Sequence, residues 1–229
     1  MLPSMRTTTL VAALAALPAA ACIPALPPPS HYAPMSPNAA LDGNATEVVA
    51  SVTYFPNLAF THSRSLEGLP ALVFDAQAQL GLTFGSVSPG LWVRSRGGET
   101  TGGHVGARLG VVGGTGDFLG FLPYQMPFAG PTLHLQYASG WGGKRLGGVA
   151  VTLGAEGAAP LFPEAIEIDD DDVDDDVDVT AIPVYVVYGS LDLRLDIPAG
   201  DKVAIVLGGG VDVAMWGYFL PTGTLGVRF

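Results

Sequence analysis

The chain has 229 residues, with 31 glycines, 19 prolines, 48% hydrophobic and only 14% charged residues. Its formal net charge of −11 is local: ten of the 21 acids lie between Glu164 and Asp178, and the other 11 nearly balance the 10 bases. A near-neutral body with no basic patch excludes a surface for neutralising nucleic-acid phosphates, and a single cysteine excludes an intramolecular disulfide.

The chain opens with a targeting pattern. Met1–Thr9 is polar with one cation, Arg6, and Leu10–Ala21 is an apolar run rich in alanine and leucine. That run is too short to cross a bilayer as a helix and has the form of a secretory signal over residues 1–21. It ends in Ala19-Ala20-Ala21 directly before Cys22. This junction resembles a bacterial lipoprotein signal, which implies acylation of Cys22. Ile23 stands where such lipoproteins carry aspartate for inner-membrane retention, so the resemblance implies the outer membrane. Residues 22–46, with Pro24, Pro27, Pro28, Pro29, Pro34 and Pro37, read as a spacer that cannot form a core.

From residue 47 onward the dominant pattern is period two, which puts successive side chains on opposite faces of a strand. Val48, Ala50 and Val52 share a face, and Phe74, Ala76, Ala78 and Leu80 alternate with Asp75, Gln77 and Gln79. Leu91 and Val93 alternate with Trp92, Arg94 and Arg96; Val105, Ala107, Leu109 and Val111 alternate with His104 and Arg108; Leu133, Leu135 and Tyr137 alternate with His134 and Gln136. The last 46 residues show it most plainly. Leu191, Leu193, Leu195, Ile205, Leu207, Val211, Leu225 and Val227 are odd-numbered, while Asp192, Arg194, Asp196, Asp212 and Arg228 are even-numbered.

Ten strands are expected, at about 47–60, 70–84, 89–97, 103–113, 117–125, 131–141, 146–156, 181–197, 202–215 and 220–229, with eight as the alternative if the weak ones are loops. Turns are expected at Ser88-Pro89-Gly90, Gly113–Gly116, Gly142–Arg145 and Pro198–Asp201. Past the signal no apolar run is long enough for a membrane helix, so a greasy, alternating chain implies an all-β, closed antiparallel transmembrane barrel spanning residues 47–229. The apolar face then meets lipid and the charged face turns inward. With the last strand ending on the periplasmic side, Gly142–Arg145 and Pro198–Asp201 become short periplasmic turns and 157–180 a long extracellular acidic loop, the asymmetry such barrels have.

This alternation, with the ending Leu225-Gly226-Val227-Arg228-Phe229, resembles small bacterial outer-membrane barrels. The resemblance implies that Leu225, Val227 and Phe229 carry the signal read by the barrel-insertion machinery, and that the partners are outer-membrane lipid and that machinery. The inward charges Arg94, Arg96, Arg108, Asp192, Arg194, Asp196, Asp212 and Arg228 are expected to form a lumen network. A barrel this narrow is nearly filled by side chains, and charges inside it must pair. Trp92, Trp141, Trp216, Tyr137, Tyr185, Tyr188 and Tyr218 are expected in interfacial girdles.

Chemistry is sparse. Asp170, Asp172, Asp174 and Asp176 are weak calcium candidates, since alternating oxygen ligands can hold a divalent cation, but the loop lacks the glycine and distal glutamate of an EF-hand. His62 with Ser63, and His134 with Ser139, are candidates for a lipid-modifying barrel enzyme, but no pattern enforces nucleophile–base geometry. No metal or cofactor is expected to be resident. The expected role is structural or surface-interacting, the alternatives being a narrow channel for small solutes or a soluble β-barrel or sandwich lipoprotein that binds an apolar ligand.

Overall fold

A strand that is apolar on one face and polar on the other must hide one of them, and the choice of face separates a membrane barrel from a soluble one. The computed structural model describes residues 44–52, 56–66, 69–81, 84–95, 103–117, 125–140, 147–161, 186–214 and 219–229. They form ten strands: β1 (Asn44–Val52), β2 (Pro56–Leu66), β3 (Leu69–Gly81), β4 (Gly85–Arg94), β5 (Gly103–Asp117), β6 (Gln125–Gly140), β7 (Gly148–Pro160), β8 (Val186–Pro198), β9 (Ala204–Ala214) and β10 (Phe219–Arg228). Each strand pairs antiparallel with its sequence neighbours, and β1 pairs with β10, so the sheet closes on itself. Closure gives every strand two pairing neighbours and leaves no edge, which hydrocarbon requires because it offers no hydrogen bonds to an open one.

The strands are steeply staggered. Consecutive register pairs lead from Asn44 at the foot of β1 through Arg64, Phe74, Leu91, Leu109, Leu133, Ala155, Gly189 and Val213 to Phe219. Phe219 begins β10, at the opposite end of the barrel from the foot of β1. Such a shear is what tilts strands against a barrel axis. With an even strand count, β1 begins and β10 ends at the same, lower end; the β7–β8 connection lies at the upper end.

The apolar residues point outward. Leu109, Leu193, Leu80 and Leu225 are among the most exposed side chains, and large apolar residues of every strand share that wall. The even-numbered charges of β8 to β10 turn inside, where Asp192, Asp196, Asp212 and Arg228 are buried and Arg194 partly so; their counterparts Glu47, Asp75 and Arg108 are buried there too. A soluble barrel or sandwich would show the inverse, so the alternative of a soluble lipoprotein fails on the direction of the side chains.

The expected count of ten stands, but two strand assignments behind it do not. Residues 47–60 hold parts of two strands, β1 and β2, paired with each other. The expected strand 117–125 is instead a connection: Asp117 ends β5, Gln125 starts β6, and the two residues face each other; residues 118–124 lie outside the described ones. Two expected turns also lie inside strands, Ser88-Pro89-Gly90 in β4 and Gly113–Gly116 in β5. Proline has no N–H to give the ladder, and here the β4–β5 pairing passes from Val87↔Gly113 to Gly90↔Gly110, so the cost of Pro89 is an interruption of pairing and not a reversal. β4 begins at Gly85, ahead of the expected 89, and β7 continues to Pro160, four residues into the expected acidic loop. The β8–β9 turn falls where expected, with Ala199 N donating to Val203 O at 2.8 Å. Gly200 there has φ of 150°, a region that side chains disfavour.

Replacing Leu135, half-exposed in mid-strand on the β6 wall, with arginine should lower the unfolding free energy in lipid vesicles by about 2–4 kcal/mol, the cost of a cation near the bilayer midplane. Urea titration of refolded barrels measures it. An unchanged midpoint, typical of surface substitutions in water, would mean that Leu135 does not face lipid.

Candidate functional site

Among the described residues the lumen gathers most of the charged and polar side chains, so the candidate site is built there. Its best-defined unit sits at mid-height between β3 and β6. Arg108 Nε donates to both carboxylate oxygens of Asp75, at 3.0 and 2.9 Å. Arg108 Nη1 donates to Thr132 Oγ1 at 2.8 Å, and Nη2 to the backbone oxygen and Oγ of Ser88 at 3.0 and 3.2 Å. Trp92 Nε1 donates to Asp75 Oδ2 at 3.1 Å. A planar guanidinium with donors on three sides suits this position, because one side chain satisfies four strands. The ring of Trp92 lies 6.4 Å from that of His134, tilted by 35°.

A guanidinium and an indole fit at the centre because neighbouring positions have no side chain. A Cβ on Gly90 would overlap the Arg108 guanidinium, and one on Gly110 would come within 2.8 Å of both Arg108 Nη1 and Thr132 Oγ1. Gly154 leaves room in the same way for Ser190 and His134. The lumen glycines thus act as sockets for the large polar residues.

The second unit lies toward the lower end and ties β8 to β1 and β10. Arg194 Nη1 and Nη2 donate to Glu47 Oε2 and Oε1 at 2.9 and 2.6 Å, a bidentate pair, and Arg194 Nε donates to Asp196 Oδ1 at 2.8 Å. Arg228 Nη1 donates to Asp196 Oδ2 at 2.8 Å and lies 3.8 Å from Glu47 Oε1. Two cations and two anions alternate, so each buried charge has an opposite neighbour. Beside them Val49, Ala59 and Val206 form a small apolar cluster inside the barrel.

Of the eight charges expected in the lumen, Arg108, Arg194, Asp196 and Arg228 belong to these two units. Asp192, Asp212 and Arg94 are also buried inside, Asp212 facing Ser190 across β8–β9 and Asp192 facing Thr152 across β7–β8. Arg96 lies outside the described residues, as do Cys22 and Asp170, Asp172, Asp174 and Asp176. Leu225, Val227 and Phe229 line the outer wall along β10. Among the described residues the anions Glu47, Asp75 and Glu156 are buried inside as well; they escaped the sequence list although Asp75 has inward parity against Phe74 and Ala76 and Glu47 against Val48.

Two residues expected in the girdles are not there. Trp92 is fully buried and Tyr188 nearly so, both in the lumen. Parity is the reason, since each has outward apolar neighbours, Leu91 and Val93 for one and Val187 for the other, and so must point inward. Tyr137 does lie on the outer wall, while Trp141, Trp216, Tyr185 and Tyr218 lie outside the described residues. Parity also dissolves the enzyme candidates. His62 is exposed on the wall while Ser63 is buried within, and His134 is inside while Ser139, an odd number of residues away, is on the other face. No three His, Cys, Asp or Glu side chains among the described residues are placed to hold a metal ion.

No protein-family model and no curated protein sequence matches this chain. Among solved structures it is similar to a KdgM porin, with 7% identity and a TM-score of 0.38 over 81% of this chain and 98% of that one. It is likewise similar to a KdgM porin in complex with disordered oligogalacturonate, with 6% identity and a TM-score of 0.37 over the same shares. The barrel assignment rests on the register pairs and not on these likenesses.

Truncating Arg108 to methionine leaves the Asp75 carboxylate buried without its counter-ion, and should cost about 3–5 kcal/mol. The double change Arg108→Met with Asp75→Asn should recover much of that loss. Urea unfolding of the two variants in vesicles checks it; equal stability of wild type and Arg108→Met would show that the pair holds nothing.

Proposed function

We propose that this chain is a bacterial outer-membrane β-barrel with a structural or surface-interaction role, its lumen closed to solutes at mid-height. The carrying observation is the solvent exclusion of the waist. Trp92 is 0% exposed, His134 1%, Arg108 2% and Gln136 2%, although all face the lumen. Side chains lining an aqueous pore would keep much of their surface in contact with water. Here three of them are bonded to other lumen residues: Arg108 and Trp92 to Asp75, and Gln136 Nε2 to Thr152 Oγ1 at 3.1 Å.

In this reading the lower end is periplasmic, where chain entry and the short β8–β9 turn lie. The long β7–β8 connection with its acidic run is extracellular, and its carboxylates bind divalent cations weakly and collectively at the surface. The Ala19-Ala20-Ala21-Cys22 junction supports export and an acyl anchor at Cys22. Several acyl chains there add a second membrane attachment, each buried methylene contributing about 0.8 kcal/mol. The exposed apolar ladder Leu225, Val227 and Phe229 is available to the insertion machinery, and the wall makes outer-membrane lipid the main partner. The lumen serves stability and has no catalytic task.

A narrow solute path is the second reading, and one observation favours it. Gly208, Gly210, Thr224 and Arg194, on the β8–β10 side, are half-buried and not fully buried.

Planar-bilayer recording separates the two. The purified wild type should give no discrete conductance steps, while Trp92→Ala combined with Arg108→Ser, which empties the waist, should give them. Stable steps from the wild type would establish the channel reading instead.

A further inference from the structure

The outer wall is not uniform. From β3 to β10, among residues whose side chains are described, it carries no charged group, and its few hydroxyls, such as those of Thr115 and Ser139, lie near strand ends. On β1 and β2 it carries three polar residues together. Thr46, His62 and Arg64 all point outward, and His62 and Arg64 are exposed. Thr46 pairs with His62 in the β1–β2 register, and Thr46 Oγ1 lies 3.0 Å from His62 Nδ1. The patch is framed by Val48, Phe60 and Phe74, so it is set within the apolar belt.

Depth makes this more than edge decoration. Arg64 is two residues from the lower end of β2 and can extend its head to the headgroup layer. His62 is four residues from that end, about 10 Å up a tilted strand, with Leu66 and Leu69 exposed below it. An imidazole at that depth gains nothing from lipid tails, which neither donate nor accept hydrogen bonds; its partner Thr46 stands two residues above the foot of β1. Along the barrel wall from His62 comes Ala76, a small residue that lets another wall approach closely.

We infer that the β1–β2 wall is the contact between two copies of this chain in the membrane, with Thr46 and His62 at its centre. The inference rests on the membrane reading above. A second copy is the occupant the chemistry fits, because the patch is complementary to itself. It holds a hydroxyl that both donates and accepts, and a neutral imidazole with one donor and one acceptor nitrogen. A two-fold axis through this wall brings the same patch from the other side, so that His62, bonded to Thr46 through Nδ1, turns its Nε2 edge to the partner's Thr46. Arg64 lies below, displaced from the axis, so the two guanidinium groups need not meet.

The test is the association state of the full chain in vesicles and in mild detergent. A photo-cross-linker is placed at Phe60, and native mass spectrometry is run in parallel. The wild type should give a product of twice the barrel mass, and Thr46→Val with His62→Leu should lower its yield about tenfold or more. Leu193→Val, on the far wall, should leave it unchanged. Heat-modifiable migration of each variant reports the closed barrel separately, so a failed fold is distinguished from a failed contact. A monomeric wild type, an undiminished dimer in the double variant, or cross-links from Phe60 only to lipid or to another protein would each overturn the inference.

Discussion

The structure depends on a constraint that water does not impose. A charge turned into a narrow barrel standing in hydrocarbon must find its partner inside the barrel. Arg194 and Glu47 are 147 residues apart in the chain and lie on β8 and β1, yet they form a bidentate pair. Arg108 on β5 meets Asp75 on β3 across β4. These pairs span more than one strand, so each is sensitive to the register of several ladders at once. A slip of one residue in any of them would turn one charge outward to lipid and leave its partner alone inside. Whether such pairs add net stability over apolar packing is a separate matter from whether they select this register; the geometry gives them the second role.

Glycine completes that arrangement. A barrel of ten strands has little interior volume, and a waist holding an arginine, a tryptophan and a histidine leaves none to spare. Gly90, Gly110 and Gly154 accommodate those side chains. The abundance of glycine in the chain, which on its own suggests turns and disorder, is in part a packing device of the lumen. The same packing is the observation on which the proposal of a closed waist rests.

Much of this was legible in the sequence and some was not. The faces followed from parity, a local property that any run of four or five residues reports. Leu193 outward and Asp192 inward needed no knowledge of the rest of the fold. Strand ends were harder, because Pro89 and the glycines of β5 carry the same local chemistry whether they reverse the chain or sit within a strand. The sequence cannot separate those cases; the pairing partner does. The ion pairs were legible as a need and not as assignments, since which carboxylate meets Arg194 depends on closure and shear. Trp92 and Tyr188 show the hazard of reasoning from residue type: aromatic residues favour interfaces, but parity sent both into the lumen.

Tryptophan fluorescence in vesicles made with brominated lipid acyl chains addresses the direction of the two faces most directly. With Trp141 and Trp216 replaced by phenylalanine, Trp92 reports from the lumen; a Trp92→Phe background with Leu207→Trp reports from the wall. The account predicts strong quenching at position 207 and little at 92. Strong quenching of Trp92 with an unquenched tryptophan at 207 would contradict it, because the apolar residues would then form an interior core and the charges an outer surface.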